Sequence, residues 1–527
     1  MPEQVGSMAH RPSDGETLMQ GNRSICAGRF LRLGALSLLM TAPVLRSETA
    51  VPQNLRIVNV TIVSPESAQE LASATVTIRE ARIQSISNTA IAPPPNGSTD
   101  VQTLDGSNLY LIPGLIDSHV HLGGIPGMTD EQEKAHPDIA RAARDQLPRA
   151  YLYSGFTTLI DLISTPEGIA RWKSHDPAPD TYFCGGAALM DGYPSNYLPK
   201  ESRYSAMPYM LVEARPGSPL PPGVKASEHT PQAVVTRMKA DGAICVKTFF
   251  ERGFGGQHNL PVPQANTIRS LVRAAHEAGL PVLMHANSLE AQTFALDTGV
   301  DIIAHGLWNT DEKAKPGELT ALEQSVLDRV IAADVGWQPT LQVLYGLRNL
   351  FDDATLNDSR LTRVLPGSLI DWYRTPEGRW FRDSIVAESP ELAAPPAAAN
   401  MLSGPINRVA AATGYMARHH GRLLFGTDTP SSPTYANPPG LNGWIEMGHL
   451  VDAGVTPEQI FRAATLSNAR ALKLDGDIGT VQVGKRANLL LVRADPKKTI
   501  QAYQEIVKVI LGGRVLNPSA LAANHPE

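Results

Sequence analysis

Cysteine is scarce in this chain: 527 residues hold three, Cys26, Cys184 and Cys245. They lie far apart and show neither the close pairing of a thiolate metal site nor the spacing of a disulfide framework, so any metal is expected on nitrogen and oxygen ligands. Long basic runs are missing too. The 46 basic and 52 acidic residues leave a formal charge of -6, which argues against nucleic acid as a partner. No GxGxxG follows the first strand of the central region, so an open doubly wound dinucleotide-binding sheet, the alternative fold, lacks its fingerprint. The apolar run between Ala35 and Leu45 is too short for a comfortable bilayer span, and stable membrane insertion is not expected.

What is present is ordinary for a globular protein, with 42% apolar and 19% charged residues. The length suits a large barrel or two to three domains. Residues 1–50 read as a leader. In "NRSICAGRFLRLGALSLLMTAPVLRSETA" Arg23, Arg29 and Arg32 run into the short apolar core, the build of a secretory signal, and Met19 as the true start would give it a normal basic region. A periplasmic or secreted location is expected, with a cytoplasmic protein bearing a leader as the alternative.

Residues 51–113 contain alternating segments, "NLRIVNVTIVSP", "ATVTIREARIQSIS" and "NLYLIP", that read as strands around a loop at "IAPPPNGS". Residues 473–527 repeat the pattern in "IGTVQVGKRANLLLVRADP" and "VKVILGGRVLN". Two β-rich flanks predict one small β-domain built from both chain ends. Between them, residues 114–472 alternate apolar runs with amphipathic stretches such as "TIRSLVRAAHEAG" and "SLEAQTFALDTG". Eight candidate strands, "GLIDSHV", "FTTLIDL", "TYFCGGAAL", "AICVKTF", "PVLMHA", "DIIAHG", "GWQPTLQVL" and "RLLFGTD", predict an α/β fold of the (β/α)8 TIM-barrel type. Residues 346–420 are too long for a plain crossover and read as a helical insertion over the barrel mouth.

Several of these strands end in a ligand-type residue. "LIPGLIDSHVHLGG" places His119 and His121 two apart, on one face of an extended segment. "AICVK" ends at Lys247, "PVLMH" at His285, "DIIAH" at His305 and "LLFGTD" at Asp428. Each alone has a plain reading: a hydrogen-bonded core histidine, a turn or cap aspartate, half of a buried ion pair. The repetition at strand ends, where barrels carry their chemistry, points to a shared site instead.

These residues, with "PGLIDSHVHL", "VKTFF", "HANSLEAQTFALDTGVDIIAHG", "GTD" and the closing "IGTVQVGKRANLLLVRADP", resemble the amidohydrolase superfamily, in particular its imidazolonepropionase-like and prolidase-like branch. The resemblance covers about residues 52–516 and implies a β-sandwich domain beside the barrel. It further implies His119, His121 and Asp428 on a first metal, His285 and His305 on a second, and Lys247 bridging both as a carboxylated lysine. Two divalent ions, most readily Zn2+, would supply hydroxide, with Asp428 as the catalytic proton acceptor, for hydrolysis of an amide-type C–N bond in an N-acyl amino acid, an Xaa-Pro dipeptide or a cyclic amide. A mononuclear zinc deaminase of an amino-heterocycle and a non-catalytic binding protein on the same fold are the alternatives. The expected partner is a small-molecule substrate, and a homo-oligomer rests on family analogy alone.

Other residues carry weaker signals. Tyr193 and Asp191 in "GGAALMDGYPSN" could reach substrate or form a turn, and Arg252 in "KTFFERGFGG" could clamp a substrate carboxylate or be solvated. Asp161 reads as structural, Glu290 as a helix-surface residue more than a proton shuttle, and Cys245 as barrel core.

Overall fold

The computed structural model describes residues 54–523 apart from 68, 89–100, 200–202, 214–219, 221–222, 255–258, 311–313 and 431–432. The leader with Cys26, the "IAPPPNGS" loop and the last four residues lie outside the described residues.

Alternating apolar segments at the start form strands β1 (Leu55–Ile62), β2 (Leu71–Arg79), β3 (Arg82–Ser87), β4 (Gln102–Asp105) and β5 (Tyr110–Pro113). A second set follows: β6 (Leu115–Val120), β7 (Phe156–Asp161), β8 (Asp180–Ala187), β9 (Cys245–Phe249), β10 (Val282–His285), β11 (Ile302–Ala304) and β12 (Gly336–Gln338). The chain closes with β13 (Leu489–Val492), β14 (Ile506–Leu511) and β15 (Arg514–Leu516).

Strands β6 to β12 make one parallel sheet in simple sequence order. Consecutive parallel strands require crossovers, and helices supply them. Ala265–Glu277 links β9 to β10, and Leu289–Thr298 links β10 to β11; the latter starts on a Ser288 cap and stops at Gly299 in the left-handed region. Residues 422–428, the last of the eight candidate strands, and the following Thr429 touch both edges of this sheet. Trp337 pairs with Leu423 and Val120 with Thr429, both in parallel sense, and the Asp428 N–H donates to the His119 carbonyl at 2.7 Å. Inside the curl, Ile160, Cys184, Cys245, Leu283, Ile302 and Leu424 pack into one buried cluster.

The other sheet has eight strands along the path β15-β14-β13-β5-β1-β2-β3, with β4 added beside β1. It joins segments from both flanks, because β13 pairs with β5 through Leu489↔Pro113 to Val492↔Tyr110. Residues 50–527 nonetheless form a single compact unit.

Three sequence expectations need correction. "GWQPTLQVL" is strand only over Gly336–Gln338; beyond Pro339, Thr340 turns left-handed (φ 48) and Leu341–Asn349 is helix. Lys247 lies in the middle of β9, not at its end. Cys184 and Cys245 are joined by a disulfide. They are 61 residues apart in sequence but register partners on adjacent β8 and β9, with Cα atoms 4.4 Å apart, a proximity that only the strand order reveals.

Residues 346–420 run through the end of the Leu341–Asn349 helix, three shorter α-helices between Leu361 and Glu388, and the long helix Pro395–Arg418. The long helix presses on the β11 exit: a Cβ at Gly306 would lie 2.5 Å from Val409 Cγ1.

Candidate metal centre

Four of the six expected ligands meet at one point. The His119 Nε2 and His121 Nε2 atoms lie 3.1 and 3.0 Å from Asp428 Oδ1, and His305 Nδ1 is 3.8 Å from Asp428 Oδ2. Ligand atoms of His119, His305 and Asp428 all fall within 4.8 Å of one another, close enough for one ion. His285 stands beside them, its ring 4.5 Å from that of His305. Lys247 is buried at 1% exposure, and among the described residues its Nζ has no hydrogen-bond partner.

The backbone is held in place to make this meeting. Gly426 lets residues 422–429 pass against β6, since a Cβ there would stand 2.6 Å from the His119 Cβ. Buried Asp117 accepts hydrogen bonds from Thr427 N (3.0 Å), Thr427 Oγ1 (2.7 Å) and His119 N (3.2 Å), tying the two segments together. Asn442 Nδ2 donates to Thr429 Oγ1 at 2.6 Å. His305, Thr340 and Asp428 all have positive φ (79, 48 and 54). Such conformations cost a non-glycine residue about 1 kcal/mol or more and persist where the surroundings dictate them.

His119, His285 and His305 each have a further polar neighbour. Gln338 at the end of β12 places Oε1 3.1 Å from His119 Nδ1, and its Nε2 donates to Ser118 Oγ at 2.7 Å. An amide oxygen can only accept, so His119 Nδ1 carries the proton and Nε2 keeps its lone pair toward Asp428. Thr340 Oγ1 lies 3.0 Å from His305 Nδ1, and Glu251 Oε2 lies 3.2 Å from His285 Nε2. The sequence reading missed Gln338, Thr340 and Glu251. Their only signal was position, at or just past strand ends.

Burial sets the protonation states. It lowers His119 to about 3, with Lys247 adding repulsion, and lowers His285 and His305 as well. The imidazoles are neutral at pH 7, the form that binds metal. Burial alone would raise Asp428, but His119, His121 and His305 hold its carboxyl well below the usual range. Desolvation brings the Lys247 ammonium down to about 7, so a neutral amine is accessible. Neutral nitrogen donors, an ionised carboxylate and an unpartnered buried amine fit a divalent-cation site better than a packed core.

The weaker candidates lie as follows. The Tyr193 ring is 4.7 Å from the His285 ring. Arg252 is half exposed and pairs with Glu290 at 2.8 and 2.9 Å on the surface of the Leu289–Thr298 helix. Asp191 pairs with Arg203 at 3.0 Å. Asp161 is buried and accepts from Leu122 N and Ile163 N.

The amidohydrolase family model matches residues 110–324 and 407–516, together more than half of the chain. No curated protein sequence matches. Among solved structures, an Xaa-Pro dipeptidase with bound methionine aligns at 20% identity and TM-score 0.60, over 88% of this chain and 100% of its own. Phenylurea hydrolase B aligns at 18% identity and TM-score 0.59, over 90% and 100%. Molinate hydrolase aligns at 16% identity and TM-score 0.59, over 89% and 96%. The skipped stretch of the family model, residues 325–406, holds most of the helical insertion, and the matched parts contain His119, His121, Lys247, His285, His305 and Asp428. The chain belongs to the amidohydrolase family of hydrolases.

Proposed function

We propose that this protein hydrolyses an amide-type C–N bond with two divalent cations, most readily zinc, at the strand-end rim of a (β/α)8 barrel whose eighth strand is residues 422–429. In this reading His119, His121 and Asp428 hold one cation, His285 and His305 the other, and Lys247 bridges them as a carbamate. The observation that carries it is the clustering of His119, His121, His305 and Asp428 with the sealed, unpartnered Nζ of Lys247. Neutral lysine amine adds one carbon dioxide and releases one proton, which turns an orphaned donor into an anionic ligand with two oxygens.

When bound, divalent cations lower the pKa of water toward neutrality and polarise a substrate carbonyl. The protein's own part is positional. Gln338 fixes the His119 tautomer, Thr340 and Glu251 contact the rings of His305 and His285, and Asp117 keeps the Asp428 turn against β6. Asp428, ionised and 9% exposed at its side chain, takes the proton of the attacking water and passes it to the leaving nitrogen.

Protein reconstituted with zinc and bicarbonate is expected to hold two ions per chain and to release amine and carboxylate from a panel of acyl amino acids, dipeptides, anilides and cyclic amides. Ammonia release with one ion per chain would establish the deaminase instead, and failure to take up metal would leave a binding protein. An oxidising compartment, periplasmic or extracellular, fits the Cys184–Cys245 disulfide. Alkylation of native protein under denaturing conditions is expected to label neither cysteine before reduction, and labelling of both would remove that support.

A further inference from the structure

The surroundings of His285 and His305 are aromatic. Tyr193 lies against His285, and Phe254 stands 5.5 Å from Tyr193 and 6.2 Å from His285. Trp308 is 5.0 Å from His305 and 6.5 Å from Phe254, and Phe249 backs Tyr193 at 5.8 Å. Phe249 and Trp308 are buried, whereas Tyr193 and Phe254 keep part of their surface open. Beside Tyr193, with ring centroids 6.0 Å apart, Tyr197 is 63% exposed. Offset and edge-on rings at these separations make a wall that accepts another flat apolar group.

The second observation concerns charge. Three arginines are attached to the segments carrying this wall, and each is matched by an acid. Arg203 pairs with Asp191 at 3.0 Å, Arg252 with Glu290 at 2.8 Å, and Arg408 with Glu323 at 3.2 Å, while Arg408 also donates to the Trp308 carbonyl at 2.6 Å. Lys247 is committed to the cations in the reading above. A carboxylate on the substrate would find no spare cation on these segments among the described residues, and Glu251 beside His285 would repel it.

Resting on the hydrolytic reading, we propose that the substrate is neutral and carries a flat apolar group on its acyl or leaving side, as in an anilide or aryl urea, rather than the free carboxylate of an acyl amino acid or dipeptide. The bond that breaks is the carbonyl C–N bond; water supplies hydroxide to the carbon and, through Asp428, a proton to the nitrogen.

Two nearly isosteric substrates separate the cases: 4-acetamidobenzamide, neutral, and 4-acetamidobenzoate, anionic. The zinc-loaded enzyme is expected to favour the neutral one at least tenfold in kcat/KM. Tyr193→Ala should raise KM for the neutral substrate about tenfold. Glu290→Gln, which frees Arg252, should lower KM for the benzoate alone. In parallel, ketone analogues with CH2 in place of NH, which cannot be hydrolysed, are bound and followed by calorimetry; the neutral ketone should bind tighter. Equal binding of the two ketones, or tenfold faster turnover of the benzoate, overturns the proposal while leaving hydrolysis intact. Preference for the neutral ketone without turnover of either amide keeps this proposal and removes the hydrolytic one.

Discussion

At the scale of single residues, the site depends on neutral polar side chains as much as on its ligands. Gln338 has one job that geometry makes visible: it fixes which nitrogen of His119 is protonated. Replacing it with leucine keeps the volume nearly constant but removes the acceptor, so His119 can rotate or change tautomer. Partners of this kind cost about 10- to 100-fold in metal affinity when lost. The Gln338→Leu variant should show that drop in a chelator competition while unfolding close to wild type; unchanged zinc affinity would show that His119 is positioned by packing alone. Lys247 makes the opposite case. Lys247→Ala removes the proposed bridge and should lose metal and activity together, whereas metal content at the wild-type level would rule out a bridging role.

At the scale of elements, helices behind the sheet set the turns in front of it. The Leu441–Asp452 helix carries Glu446, whose buried carboxyl accepts from Leu341 N at 3.1 Å and Gln342 N at 2.6 Å. Those two amides open the helix that follows Thr340, so Glu446 stabilises the left-handed turn that presents the Thr340 hydroxyl to His305. Burial raises Glu446 to about 8, with Asp117 adding repulsion. The sign follows from the folded group resisting ionisation: its contribution to stability is fully present below the unfolded pKa near 4.5 and is lost as pH rises through about 8. Glu446→Gln has nothing to ionise, so its melting temperature should gain on the wild type between about pH 5 and 9, by an amount worth a few kcal/mol at most. Melting curves across that range check it, and a constant gap would mean that Glu446 stays charged throughout.

This layer also marks the limit of what was legible. The strand runs and their terminal histidines could be read because apolar alternation and ligand-type residues leave a local pattern. Glu446 lies 105 residues from Leu341, and the cysteine pair 61 residues apart, so their meeting depends on strand order and helix docking. "PTLQVL" read as strand because its apolar spacing suits either period over so short a run; Pro339 and the Thr340 turn decided for helix. Tyr193 was visible as a loop aromatic, but that it faces His285 was not.

At the scale of the whole molecule, β13 is the joint between the two sheets' cores. Its residues alternate: Leu490 and Val492 pack into the large cluster that includes Leu115, Phe156 and the helices, whereas Leu489 and Leu491 pack into the cluster of Leu55, Ile57, Val76 and Ile510. Its neighbour β5 runs through Gly114 directly into β6, which carries His119. A strand that belongs to both cores cannot let one melt without exposing the other. Leu489→Ala and Leu490→Ala each remove a fully buried side chain and should cost about 2–5 kcal/mol. If residues 50–527 unfold as one unit, both substitutions lower the same single transition in calorimetry, and near-UV signals from Trp337, buried in the large cluster, follow it. A separate β-domain would behave differently: Leu489→Ala would split off an early transition and leave the Trp337 signal and metal content where they were.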